Sequence, residues 1–213
     1  MVASKQDGRA TRARAIHSDV HDKVIGAVRR LMVDGDLPTS SQLAKEAGVS
    51  TTTIYNHFPE SIPGILRELI TRIDLAAGEA AAARQLQGGR EMVRAALTTY
   101  AVELTKLGRG GRFILKERFD IHQPASPDDI RPFFENQVAA WLIADGYADD
   151  EALWATCRRC GVLWRGAGTS WILSDESTRR HEDAYAVSDS EFIELSRDCI
   201  DAAIAMTGLT RPS

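Results

Sequence analysis

The sequence predicts an all-α protein with a small N-terminal domain of three helices and a larger C-terminal helical domain. Apolar residues recur at steps of three and four along most of the 213 residues, which is the spacing of one helix face. No segment shows the alternation of a half-buried strand, and no internal repeat occurs. Turns and composition divide the chain into four parts. These are a flexible basic arm (residues 1–15), a compact domain (16–60), a linking helix (61–86) and the C-terminal domain (87–213).

The first helix is predicted over about residues 18–33. Val20, Val24 and Val28 fall on one face, and the acidic glycine turn at residues 34–36 ends the helix. This helix would support the two short helices that follow it.

The segment from Thr39 to Phe58 predicts a helix, a glycine turn and a second short helix. Thr39 and Gln42 have the spacing of a capping box, which starts the first of the two. Gly48 is placed where a left-handed residue ends a helix, and Ser50 is a good N-cap for the second. This layout is that of a helix-turn-helix.

The second short helix is polar except for Ile54, Tyr55 and Phe58. If it buries only Ile54 and Phe58, its other side chains are free to contact a partner. In a DNA-binding protein that partner is the major groove, which admits one helix, whereas a helical hairpin with a glycine turn also occurs as a purely structural element of all-α proteins. The free side chains are those of Thr51, Thr52, Thr53, Tyr55, Asn56 and His57.

The string A-G-V-S-T-T-T-I-Y-N-H-F closely resembles the DNA-binding segment of the tetracycline-repressor (TetR) family. An amphipathic helix precedes the string and a longer helix follows it, and the resemblance covers roughly residues 16–74. The resemblance implies a homodimer, because two recognition helices related by a twofold axis read a pseudo-palindromic double-stranded operator.

By this resemblance, the threonines at the start of the second helix face base edges and nearby phosphates, while Tyr55 and His57 contact the DNA backbone and set the register. Asn56 either contacts adenine or only faces solvent, and Thr53 either contacts DNA or only caps its helix. The amides that start the preceding helix can hold a phosphate. The candidate DNA-binding residues are Thr39, Ser40, Ser41, Thr51, Thr52, Thr53, Tyr55, Asn56 and His57.

One position departs from the family pattern. Many members place a phosphate-binding lysine three residues after the phenylalanine, and here that position is Ser61. We expect the N-terminal arm to compensate, so that deleting residues 1–14 weakens operator binding and flattens its salt dependence; a disordered solubilising tail is the alternative. The basic residues of the arm are Lys5, Arg9, Arg12 and Arg14.

The rest of the chain predicts further helices. Ser61 can cap a fourth helix that continues through an alanine-rich tail to about Leu86. A short helix is predicted around Phe113 and Phe119, after a glycine-rich segment. The longer helices are expected over about residues 90–107, 127–145, 150–173 and 188–206.

A seven-residue spacing marks the predicted helix near the C-terminus. Cys157, Trp164 and Trp171 recur at this interval, with Gly161 and Gly168 beside them. The family resemblance implies that the last two long helices of each subunit form a four-helix dimer interface. The alternative is that these five residues complete the core of their own subunit.

The resemblance also implies that the C-terminal domain encloses a small-molecule effector, whose binding changes the spacing of the recognition helices. The aromatic candidates indicate a largely apolar effector, although any one of them can instead be a packing residue. The candidate walls and polar anchors are Tyr100, Phe113, Arg118, Phe119, His122, Phe133, Phe134, Asn136, Gln137, Trp141 and Trp164.

Composition narrows the class of protein. The N-terminus is polar and no run of eighteen apolar residues occurs, which predicts a cytoplasmic protein without a membrane segment. Three cysteines fit reduced thiols rather than a disulfide framework. The net charge is −4, but residues 75–213 hold 16 basic and 21 acidic side chains, so the acidic part can face away from DNA.

No catalytic or metal signature is recognised, so neither an enzyme nor a cofactor is expected. No Gly-x-Ser-x-Gly elbow appears, and the segment at residues 108–111 lacks the lysine of a P-loop and is predicted to be a hinge. Cys157 and Cys160 have no second pair at zinc-site spacing. His17 and His21 share one helix face, but the sequence shows no third ligand in reach, so no metal is predicted.

These observations favour a DNA-binding transcription regulator, most simply a repressor that a small effector releases from its operator. One alternative is a helical regulator whose C-terminal domain binds a protein partner. The other is a small helical enzyme with an incidental helical hairpin.

Overall fold

The structure is a computed structural model that describes residues 4–33, 37–119, 130–177 and 186–211. Its side chains are described for residues 17–33, 37–119, 134–174 and 186–211. Within these ranges the regular structure is helical and contains no strand, which confirms the all-α prediction. The helices are α1 (Ser4–Met32), α2 (Ser40–Ala47), α3 (Thr51–His57), α4 (Ile62–Ala82), α5 (Gly89–Thr105), α6 (Arg109–Phe119), α7 (Ile130–Ala144), α8 (Glu151–Ser177) and α9 (Asp189–Thr207), with a 3₁₀ turn at Gln85–Gln87.

The chain forms two compact units, and the division between them falls inside α4. The first unit comprises Met1–Arg72 with Leu107–Gly110, and the second comprises Ile73–Lys106 with Gly111–Ser213. None of the described helices combines the length and the apolar character needed to cross a membrane.

Helix α1 begins at Ser4, well before the predicted start near residue 18. The prediction used apolar periodicity, and the first fifteen residues are too polar to show it. Residues 4–15, which the sequence analysis assigns to a flexible arm, therefore have a helical backbone. The side chains of Lys5, Arg9, Arg12 and Arg14 lie outside the described residues.

The core of the first unit forms where α1 packs against α2 and α3. Val24, Val28 and Met32 lie on one face of α1 and are buried, as helical periodicity predicts. The two short helices contribute one fully buried residue each, Leu43 from α2 and Ile54 from α3.

In the second unit, α5, α7, α8 and α9 pack around a common core. Trp171 of α8 and Phe192 of α9 are fully buried, and their rings stack with centroids 4.6 Å apart. Asp201 of α9 accepts charged hydrogen bonds from Arg90 and Arg94 of α5. The core and these ion pairs together join α9 to its neighbours.

The glycine segment at residues 108–111, predicted to be a hinge, is a site of close packing at the start of α6. A Cβ atom at Gly110 would overlap with Met32, and one at Gly111 would overlap with the carbonyl oxygen of Leu104. Glycine is required at both positions, because at each of them another segment of the same unit lies too close to leave room for a side chain.

Candidate nucleic-acid interface and effector cluster

Helix α2 begins with the predicted capping box. The backbone amide of Gln42 donates to Thr39 Oγ1 at 3.3 Å, and the amide of Thr39 donates to Gln42 Oε1 at 2.8 Å. Two amides at the start of the helix are therefore satisfied by side chains. The Thr39 hydroxyl takes part in this cap. Its proposed role in DNA binding is therefore limited to positioning the start of α2.

The turn between α2 and α3 depends on Gly48, whose φ is +67° and ψ is +34°. This left-handed conformation costs glycine little and strains other residues. The amide of Val49 then donates to the Ala44 carbonyl at 3.0 Å and closes the end of α2. Ser50 caps α3, since its Oγ accepts from the Thr53 amide at 3.0 Å.

Helix α3 buries one side and exposes the other. Ile54 is fully buried and Phe58, directly after the helix, is nearly so. Thr51, Thr52 and Asn56 are exposed, and the exposed fraction of Tyr55 is 53%. Four of the six side chains predicted to be free are thus available on one surface, which we call the α3 exposed face: Thr51, Thr52, Tyr55 and Asn56.

The remaining two side chains of α3 have other contacts. The hydroxyl of Thr53 lies 2.8 Å from that of Ser50, so Thr53 takes part in the cap. His57 is half-buried and its ring centroid lies 4.7 Å from that of His17 and 5.5 Å from that of His21 on α1. Burial first, and then the neighbouring His17 and His21, lower the pKa of His57, which favours its neutral form.

Ser61, at the position where many members of the TetR family place a lysine, connects the starts of α2 and α4. Its hydroxyl lies 2.8 Å from the Ser40 hydroxyl. Its φ of +54° is unusual for a residue with a side chain. Ser40 therefore contacts Ser61, while Ser41 is exposed at the beginning of α2.

Two arginines of the first unit are paired with carboxylates. Arg67 donates to Glu60 at 2.7 and 3.0 Å, and Arg30 donates to Glu46 at 2.6 Å. The α3 exposed face itself contains neither lysine nor arginine. Any attraction of this face for phosphate must therefore come from neutral donors or from other parts of the chain.

In the second unit, part of the predicted effector set forms an aromatic cluster around Trp164. The ring centroids of Tyr100 and Phe119 each lie 5.5 Å from that of Trp164 in edge-to-face geometry, and that of Phe134 lies 5.9 Å away in a stacked arrangement. The indole Nε1 of Trp164 is buried and has no hydrogen-bond partner among the described residues. Such a buried donor can bind an acceptor atom of a ligand.

A polar group adjoins this cluster. Arg118 donates to the phenolic oxygen of Tyr100 and, at 3.1 Å, to Asp74. Burial raises the pKa of Tyr100 to about 12, an effect that the Arg118 charge opposes. Nothing in the sequence indicates Asp74, because its position on α4 carries no pattern that relates it to α6.

The other predicted effector residues do not join the described ring contacts around Trp164. Phe113, Gln137 and Trp141 are half-buried and Asn136 is exposed. His122 and the side chain of Phe133 lie outside the described residues. Helical spacing does not indicate which of the aromatic residues meet, because that depends on how the helices pack.

Four of the five residues predicted to form the dimer interface are buried within the second unit, and Gly161 is half-buried. Cys157, Trp164 and Trp171 are buried by this chain alone. A Cβ atom at Gly161 would lie 3.5 Å from Phe134, and one at Gly168 would lie 2.7 Å from Phe119. The seven-residue spacing is therefore that of the subunit's own core, which is the alternative left open by the sequence.

The exposed sides of α8 and α9 carry apolar residues that the sequence analysis did not select. Val162 and Leu173 on α8 are more than half exposed, as is Met206 on α9, and Leu195 is nearly so. These four residues define what we call the α8–α9 apolar surface.

His57 is a third potential ligand beside His17 and His21, and the sequence could not identify it. One potential donor atom from each of the three residues lies within 4.8 Å of the other two. The expectation that no third histidine is in reach was wrong, because it considered only the face of α1.

Comparison with known proteins assigns no family. No family model, no curated protein and no solved structure matches this chain. The resemblance to the TetR family therefore rests on the motif between Ala47 and Phe58 and on the residues around it.

Proposed function

We propose that this protein is a homodimeric, DNA-binding transcription regulator that resembles the TetR family and is released from its operator by a small, largely apolar effector. The observation that carries the proposal is the α3 exposed face. A seven-residue helix, anchored by the buried Ile54 and Phe58, presents a continuous polar surface that its own unit does not use.

The chemistry of this face suits DNA. A threonine hydroxyl can donate to or accept from a base edge, and its methyl group can pack against thymine. Asn56 can form two hydrogen bonds with adenine, and the hydroxyl of the exposed Tyr55 can reach a phosphate. Because this face has no cation, the basic N-terminal part of α1 is a source of the salt-dependent attraction.

The test is a footprint and a gel-shift titration on DNA upstream of the protein's own gene, at a stated salt concentration. Thr52→Ala combined with Asn56→Ala should weaken specific binding at least about tenfold, since a good base contact discriminates by about 1–3 kcal/mol. The thermal midpoint should not change, because both side chains are exposed. Thr169→Ala, an exposed threonine on α8, is the matched control and should bind as wild type does.

Two results would contradict the proposal. One is the absence of a protected site, with only non-specific DNA affinity. The other is a specific site that the double variant occupies as tightly as the wild type.

The cluster around Trp164 supports a small-molecule effector. It combines apolar rings with a buried indole N–H that has no partner among the described residues, and with the Arg118–Tyr100 pair. A flat, apolar compound with one acceptor atom fits this chemistry. To regulate DNA binding, the compound must bind two conformations of the protein with different affinity.

A thermal-shift screen of small aromatic compounds, followed by a gel shift with each hit, tests the effector role. Trp164→Phe retains an aromatic ring and removes the N–H, so it should weaken binding of an acceptor-containing hit more than that of its analogue without the acceptor. An equal loss for both compounds would indicate that the N–H makes no contact with the ligand.

A further inference from the structure

Three imidazoles from two helices converge in the first unit. His17 and His21 lie one turn apart on α1, with ring centroids 4.1 Å from each other, and His57 is the last residue of α3. One potential ligand atom of each residue lies within 4.8 Å of those of the other two. We call these three residues the histidine cluster.

A carboxylate holds one member of the cluster in a metal-binding orientation. Glu68 Oε2 lies 2.6 Å from His21 Nδ1, and both side chains are largely buried. Histidines that bind metals commonly donate their second ring N–H to a carboxylate, which fixes the tautomer and makes the other nitrogen a better ligand. In this arrangement His21 Nε2 is the free nitrogen.

Two nitrogens of the cluster have unused hydrogen-bonding capacity. His21 Nε2 and His57 Nδ1 are buried, and neither has a partner among the described residues. Buried polar atoms normally have partners, and an unpaired one in a native structure requires an explanation. One bound ion that accepts a lone pair from each of these two nitrogens would explain both unpaired atoms.

We propose that the histidine cluster binds one divalent first-row transition-metal ion, with Zn²⁺ as the reference ion. Imidazole nitrogen suits Zn²⁺, Cu²⁺ and Ni²⁺, and three imidazoles leave a fourth position for water or another ligand. With Zn–N distances of about 2.0–2.1 Å, ligand nitrogens lie about 3.3 Å apart in a tetrahedral site. The exposed His17 has room to make this approach.

The surroundings agree with this assignment. The three thiols, which are the competing soft ligands, lie in the other unit and are buried. Burial raises the pKa of Cys157 to about 11, and it raises that of Cys160 further, so both remain protonated thiols.

The bound ion would join α1 to the C-terminal end of α3. That helix carries the α3 exposed face, so the metal would restrain the surface proposed to read DNA. This consequence rests on the proposed function, whereas metal binding itself does not. Metal binding is therefore tested without DNA.

The experiment uses the untagged full-length protein, stripped with a chelator and titrated with Co²⁺, followed by Zn²⁺ competition. We expect one ion per chain, visible d–d absorption, and no thiolate-to-cobalt band in the near ultraviolet. His21→Gln and His57→Gln should each reduce affinity at least tenfold. Lys23→Gln, on the exposed side of α1, should leave affinity unchanged.

Far-ultraviolet circular dichroism of the metal-free variants shows whether each one is folded. If a histidine variant is unfolded, the wild-type protein still decides the question, because Zn²⁺ bound to the folded state must raise its thermal midpoint. The proposal is overturned by absence of stoichiometric binding, by a thiolate band, or by folded histidine variants that bind as wild type does.

Discussion

Glu68 joins α4 to α1 through His21, with 2.6 Å between the carboxylate oxygen and the ring nitrogen. The other carboxylate oxygen of Glu68 accepts from Arg72 at 2.7 Å. Arg72 in turn donates to Asp22 on α1 at 2.7 Å. The two helices are thus connected twice by charged groups, beside the buried apolar contacts of the first unit.

Glu68→Gln should weaken metal binding at the histidine cluster by about 10–100-fold, the usual effect of losing such a carboxylate. Glutamine retains the size of the side chain but not the charge that holds the His21 tautomer. Co²⁺ and Zn²⁺ titrations measure the effect. The control is Glu60→Gln, an exposed carboxylate paired with Arg67, which should not alter metal affinity. Equal metal affinities for Glu68→Gln and Glu60→Gln would show that Glu68 does not contribute to the metal site.

Two glycine substitutions should change stability in opposite directions. Gly111→Ala should lower the free energy of unfolding by about 2–3 kcal/mol, because its methyl group would overlap with the Leu104 carbonyl. Gly166→Ala, in α8, has no heavy atom within 4 Å of the added carbon and should raise it by about 0.5–1 kcal/mol. Urea denaturation of both variants measures the difference. A neutral Gly111→Ala would mean that α5 and α6 are not closely packed there.

Tyr100 should make stability decrease at high pH. Burial raises its pKa from 10.0 to about 12 in the folded state, so the unfolded chain loses the proton first. The free energy of unfolding therefore falls as pH rises from about 10 to about 12, by about 3 kcal/mol for a shift of this size. Tyr100→Phe should flatten the profile in that window, whereas Tyr55→Phe, at an exposed position, should follow the wild type. Parallel profiles for Tyr100→Phe and wild type would contradict the assigned pKa.

The α8–α9 apolar surface is where we expect the homodimer to form. Val162 is 69% exposed in the single chain. If association buried a glutamate at this position without a partner, the cost of removing its charge from water would oppose association. Val162→Glu should shift the protein toward monomer in light scattering coupled to size-exclusion chromatography, without loss of helicity. Leu86→Glu is the matched control, since Leu86 is fully exposed outside these two helices. A Val162→Glu protein that remains as dimeric as the control would place the interface elsewhere.

The features that sequence predicted well are those that neighbouring residues determine. The capping box of Thr39 and Gln42, the left-handed Gly48 and the Ser50 cap each depend on atoms within four residues. The burial of Ile54 and Phe58 follows from the period of one short helix. For this reason the sequence alone predicts the start, the turn and the exposed face of the α2–α3 pair.

Packing between distant segments decided the rest. The spacing of Cys157, Trp164 and Trp171 identified a buried stripe, but a period does not say whether the covering helix comes from the same chain or from a second copy. In the structure the same chain covers it.

The sequence by itself determined an all-α fold and a short helix with a polar outer face. Only the tertiary structure brought His57 to His17 and His21, and Arg118 to Tyr100 and Asp74. The physical reason is the range of the interactions. Caps and helical periods are local, whereas the meeting of side chains from different helices depends on how those helices pack.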